Sequence, residues 1–160
     1  AYGHVDAGHL LYLNEDSKRG TVSQIVHRGE HSTSKQIAKN ILDGEARGIF
    51  DALIRVEHSG KYTKAEQNSK SILLHKKAYM VSKPQLEIYI DELEASHGST
   101  TGQLSEKQLF YLQSRGISHV EARKILVIAF ANTLIEEVKD TRQQERIKTA
   151  FEEVFYKAHQ

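Results

Sequence analysis

Apolar and polar residues alternate through GIFDALIRVEH, which sets Phe50, Ala52, Ile54 and Val56 on one side and Asp51, Arg55 and Glu57 on the other. A period of two is what a strand with one buried face requires. The same pattern returns in PQLEIYIDEL with Leu86, Ile88 and Ile90, whereas TVSQIVHRG and SKSILLHKKAYMVSK alternate less regularly. The single proline, Pro84, is expected at the first position of its strand, where a missing N–H costs little. No Asn-Gly turn joins these runs. Strand centres recur instead, with Ile54 and Ile72 18 residues apart and Ile72 and Ile88 16 apart. Such spacing, without helices between the strands, predicts a β-solenoid in which each rung stacks on the last. A β-sandwich is the alternative that spacing alone leaves open.

After Leu104 the period becomes helical. Ser105 with Gln108 forms a capping box, and Gly116 after LFYLQSR is a stop signal. Ser118 with Glu121 opens a second helix, with Ala122, Ile125, Leu126, Ala129, Ile135 and Val138 expected on its buried stripe. Asp140 is expected to cap a third, packed through Ile147, Phe151, Val154, Phe155 and Ala158. The expected division is therefore β-solenoid rungs over residues 1–104 and a three-helix domain over 105–160. STTGQLS is read as the loop between them. The opening AYGHVDAGHL carries no initiator Met, no cap and no evident first strand, so the chain is expected to be the C-terminal part of a longer protein.

Composition narrows the function. Lys and Arg number 22 against 21 Asp and Glu, and no basic stripe stands out, which argues against nucleic acid as the main partner. The longest apolar run, ILVIAFA, is too short to cross a bilayer, and no charged-then-apolar leader opens the chain. Cysteine is absent, which removes disulfides, thiolate nucleophiles and self-supplied thiolate ligands. A cytoplasmic protein fits these features.

Motifs for nucleotide and acyl chemistry are missing: SGKYTK lacks the first glycine of a P-loop, and neither G-x-G-x-x-G nor G-x-S-x-G occurs. His4, Asp6 and His9 in GHVDAGH are residue types that bind divalent metals, although polar surface is the plainer reading. His31 in HSTSKQ reads as part of a turn whose hydroxyls bond the local backbone. Asp91, Glu92 and Glu94 beside His97 offer acid–base groups of the kind that solenoid carbohydrate-active enzymes use. The chain has no Trp, however, and its tyrosines are scattered in sequence.

From Pro84 to Phe130 the sequence resembles the SufB/SufD family, scaffold proteins of the SUF iron–sulfur cluster assembly machinery. The residues that carry the resemblance are Pro84–Ile88, His97–Thr100, Gln108–Ile117 and Glu121–Arg123, with HSTSKQ, GIFDALIRV and AEQNSKSILL upstream. His97-Gly98 is similar to the SufD branch, where the SufB branch usually carries His-Glu. The resemblance implies a right-handed parallel β-helix followed by a small C-terminal helical domain, in proteins of several hundred residues. It implies a non-catalytic subunit that pairs with a SufB-like partner and a SufC-type ABC ATPase. A homodimer when alone, whether of such a subunit or of a purely structural protein, is a further expectation.

The family commonly has Cys two residues before the histidine; here that residue is Ala95. Any iron or cluster passing through would therefore be held transiently, with sulfur ligands from the partner. His97 is the expected imidazole ligand and Glu94 a weaker neighbour. The resemblance further implies ATPase contacts at Gln108, Phe110, Tyr111, Arg115, Glu121 and Arg123. It also implies a subunit interface at Leu86, Ile88 and Ile90.

Overall fold

The computed structural model describes residues 2–159. Seven strands precede three helices: β1 (His4–Leu13), β2 (Lys18–His27), β3 (Thr33–Leu42), β4 (Arg47–Val56), β5 (Lys64–Leu73), β6 (Tyr79–Ile88) and β7 (Glu94–Gly102), then α1 (Glu106–Ser114), α2 (His119–Ile135) and α3 (Thr141–Ala158). Odd strands form one sheet in the order β1-β3-β5-β7 and even strands another, β2-β4-β6. All pairings are parallel. The chain is thus a parallel β-helix of about three two-strand turns, with β7 beginning a fourth, followed by helices. Equivalent residues in successive turns lie 29 to 32 positions apart. The recurrence near 17 residues visible in the sequence is the half-turn from one sheet to the other.

The two inward faces differ in chemistry. Phe50, Ala52, Ile54 and Val56 on β4 are completely buried, as the alternation of that segment predicts. Opposite them the odd-numbered sheet turns Ser34, Gln36 and Asn40 of β3, and Gln67, Ser69 and Ser71 of β5, inward and out of water. Burying these groups is tolerated because they bond one another between turns. Gln67 Nε2 donates to Gln36 Oε1 at 2.9 Å, and Asn40 Nδ2 donates to Ser69 at 3.3 Å and Ser71 at 3.1 Å. At one corner His27 sits between Ser32 (2.7 Å) and Ser34 (2.8 Å).

Three sequence expectations need correction here. Pro84 lies inside β6, opposite Ala52, and not at the strand's start; β6 is the edge of its sheet, so one side of its backbone has no ladder to lose. HVDAGHLLYL is a strand, β1, although its inward and outward residues do not separate by polarity. Ser99–Gly102 belong to β7, so the loop to the helices is shortened to Gln103–Ser105.

The corners stack side chains that are scattered in sequence. His31 lies between Tyr2 (5.6 Å between ring centroids) and Tyr62 (4.8 Å), and His58 stacks on Tyr89 (5.5 Å). His31 and Tyr62 occupy equivalent corner positions with φ of 54° and 59°, so the turn repeats as the coil does.

The helices cover the outer face of the odd-numbered sheet. Ile41, with Leu10, Tyr12 and Ile72, packs against Leu104, Leu109, Ala122, Val127, Ala131, Ile135, Phe151 and Phe155. Ser105, Ser118 and Asp140 cap the three helices as expected, accepting from the backbone N–H groups of Gln108, Glu121 and Gln143, and Gly116 ends α1 with a φ of +87°. The buried stripe of α2 runs through Ala122, Val127, Ala131, Leu134 and Ile135; Ile125 and Ala129 face outward, against expectation. An all-round apolar helix gives several stripes of similar quality, and the sheet selects one. On α3 only Phe151 and Phe155 of the expected set are buried. No helix among the described residues is long and apolar enough to cross a membrane.

Candidate functional site

A β-helix buries its interior by stacking, so its last turn exposes inward-facing residues that no further strand covers. Here the last turn is β6 with β7. Along β6, Leu86 and Ile88 continue the inward columns of Ile54 and Val56. Along β7, Ala95 and His97 continue those of Ala65 and Gln67. Leu86, Ile90, Leu93 and Ala95 are partly buried over Ile54, Val56 and Ala65. Ile88 is 41% exposed, and His97 is exposed.

Residues expected from separate parts of the sequence, His97 and the Leu86–Ile88–Ile90 set, therefore meet at one open end of the coil. On β7 the imidazole lies between Ala95 on one side, which packs with Leu86, Ile90 and Leu93, and Ser99 and Thr101 on the other, which continue the columns of Ser69 and Ser71. Rigid strands hold the ring at a fixed height, because β7 is paired with β5 from Glu94 to Gly102.

Glu94 does not join His97. The two are an odd number of residues apart on one strand, so they project from opposite faces. Glu94 lies outside, in an ion pair with Lys64 at 2.9 Å. Ala95, by contrast, shares the inward face with His97, two residues away, so a Cys at this position would flank the imidazole. Gly98 is not demanded by the backbone: a Cβ there would lie 3.8 Å from Asn68 Nδ2, an ordinary contact.

The other sequence candidates separate. His4 pairs with Asp6 at 3.0 Å on the outer face and contacts Thr33 at 2.6 Å. His9 points inward, within 3.0 Å of Gln36 Nε2. Burial holds the His9 pKa below the ordinary histidine value. Among the described residues no three His, Cys, Asp or Glu side chains are placed to hold a metal ion. His31 is in the expected turn, but Thr33 onward is strand β3.

On the helices, Gln108, Phe110, Tyr111, Arg115 and Glu121 are all exposed. Phe110 (73%) and Tyr111 (60%) are large exposed hydrophobics, as is Val120 (62%), which sequence reasoning did not single out. Its position two residues before Ala122, the first buried residue of α2, gave no signal. Arg123 differs from this set: its Nη2 donates to the Leu74 carbonyl at 2.8 Å, fastening α2 to the corner after β5.

Residues 2–130 match the family described as SUF system FeS cluster assembly, SufBD core domain. The iron-sulfur cluster assembly protein SufD of Escherichia coli is 34% identical over 127 residues, covering 79% of this chain and 30% of that protein. An iron-sulfur cluster assembly SufBD family protein of Synechocystis is 33% identical over 80% of this chain and 28% of its own length. The SufD protein of Bacillus subtilis is 31% identical over 72% of this chain and 26% of its own. The chain thus spans less than a third of the length of these relatives. With its parallel β-helix, its trailing helices and its His-Gly pair on the last strand, the chain belongs to the SufBD core family of the SUF iron–sulfur cluster assembly system and is SufD-like.

Proposed function

We propose that this chain forms the interface end of a non-catalytic scaffold subunit in SUF iron–sulfur cluster assembly. The observation that carries the reading is the placement of His97 on the inward face of the last strand, β7, at the same end of the coil as Leu86 and Ile88. In this reading residues 1–104 present the open turn to a SufB-like subunit, and residues 105–160 form a helical domain that docks a SufC-type ATPase. Ala95, with Leu86, Ile90 and Leu93, gives that end an apolar part that excludes water when a partner covers it, and the imidazole nitrogen supplies a ligand type that iron–sulfur sites accept. Iron or a nascent cluster is cargo here, held transiently. Because the chain has no cysteine, the thiolates come from the partner.

Glu94 is not included in the ligand set, since its side chain is on the other face. In this reading the ATPase is met by exposed residues of the first two helices, Gln108, Phe110, Tyr111, Arg115, Val120 and Glu121. The test is co-expression with a SufB-type subunit and a SufC-type ATPase, comparing wild type with His97→Ala by gel filtration and by the visible iron–sulfur chromophore. A complex that persists without chromophore supports the ligand role. Loss of the complex itself makes His97 an interface residue, and an unchanged chromophore removes it from the chemistry.

A further inference from the structure

The buried amides beneath His97 form a ladder with a direction. Gln36 Nε2 donates to Ser23 Oγ and reaches His9 Nε2 at 3.0 Å. Its Oε1 accepts from Gln67 Nε2 at 2.9 Å in the next turn. Each amide therefore donates toward the β1 end and offers its oxygen toward the β7 end. Gln67 is completely buried, and its Oε1 has no hydrogen-bond partner among the described residues. The next residue in that column is His97, paired directly with Gln67 in the parallel register.

A buried amide oxygen without a partner is unfavourable, and the His97 imidazole, paired with Gln67 in register, can donate to it once the ring turns inward. We propose that Gln67 is a positioning residue for His97: its Oε1 accepts an N–H from the imidazole, which selects one neutral tautomer and leaves the other ring nitrogen with its lone pair toward the open end. Histidine ligands are commonly oriented in this way, by a hydrogen bond from the nitrogen that does not ligate. The inference deepens the proposed function and rests on its assignment of His97 as a ligand. The tautomer itself is a property of the free protein and needs no cargo.

The experiment is long-range 1H–15N correlation NMR of the 15N-histidine-labelled protein, with His97 assigned by the signal lost in His97→Ala. Wild type is expected to show one His97 tautomer favoured about tenfold, the worth of one net hydrogen bond. In Gln67→Met, which keeps the length of the side chain but not the oxygen, the ratio should fall toward unity. Gln67→Glu retains an oxygen in that place and should retain the preference. An even tautomer mixture in wild type overturns the proposal, whatever the variants do, as does a preference that survives in folded Gln67→Met. If the tautomer is fixed by Gln67 but His97→Ala leaves the chromophore unchanged in the complex, the ladder stands and the ligand role fails.

Discussion

Arg123 donates from Nη2 to the carbonyl of Leu74 at 2.8 Å, joining α2 to the corner between β5 and β6. The contact is charge-assisted and half-buried, and Leu74 itself packs against the helical core. Removing it should cost about 1.5–3 kcal/mol, the range for hydrogen bonds to charged groups. Arg123→Ala is therefore expected to loosen the helical layer before the coil. Limited proteolysis should show earlier cleavage near Leu104 in the variant, and urea denaturation should show a lower midpoint. Equal protease resistance of the two proteins would mean the contact is not holding α2.

Acid should weaken the coil through its buried rings. Burial pushes the pKa of His27 and of His9 below the ordinary histidine value of 6.5, because a charged ring is poorly solvated there. The unfolded chain then takes up protons first as pH falls. Stability from the neutral rings is complete above about pH 6.5 and is lost as pH drops through the folded-state pKa values. Urea midpoints at pH 7 and pH 5 should differ in wild type, and the difference should shrink in His27→Gln. An unchanged difference would place the acid sensitivity elsewhere.

Phe50 is a large side chain with no solvent contact, packed among Leu13, Ala38, Leu42, Ala46, Ala52, Ala78 and Met80. Several of these neighbours are alanines, which cannot reach into a vacated space. Phe50→Ala should therefore sit in the usual range for such truncations, about 3–5 kcal/mol. Equilibrium denaturation reads this directly, and a loss below 1 kcal/mol would mean that the coil collapses around the gap.

How far the sequence was readable follows from these two faces. β4 announced itself because one apolar face meets one polar face, and Phe50 through Val56 are buried as the alternation predicts. β5 did not, because KAEQNSKSIL turns Gln67, Ser69 and Ser71 inward, where they bond Gln36 and Asn40 of the neighbouring turn instead of obeying polarity. The same inversion concealed β7: His97 and Ser99 occupy inward positions, and a run of Gly, Ser and Thr reads as a loop until β5 is seen to pair with it. Helix ends were legible because Ser105, Ser118 and Asp140 act through local backbone bonds. The buried stripe of α2 was not, since the outer face of the odd-numbered sheet determines it. His97 was identified by resemblance; that it shares an end with Leu86 and Ile88 required the register of two sheets.

The open end allows stability and association to be separated. Leu86 packs over Ile54 and belongs to the core of the last turns, whereas Ile88 is 41% exposed in the column above Val56. A charge at residue 86 must displace packed aliphatic surface; a charge at residue 88 can remain in water. Leu86→Lys is therefore expected to lower stability by about 2–5 kcal/mol, by analogy with loss of a core aliphatic, and Ile88→Lys by about 0.5 kcal/mol or less, as for an exposed site. If this end is covered by a SufB-like subunit, both variants should fail to form the complex, because each buries an unpaired charge in an apolar contact. Gel filtration of the co-expressed subunits, alongside urea denaturation of the isolated protein, tests both statements. A stable Ile88→Lys protein that still assembles would move the interface away from the open turn.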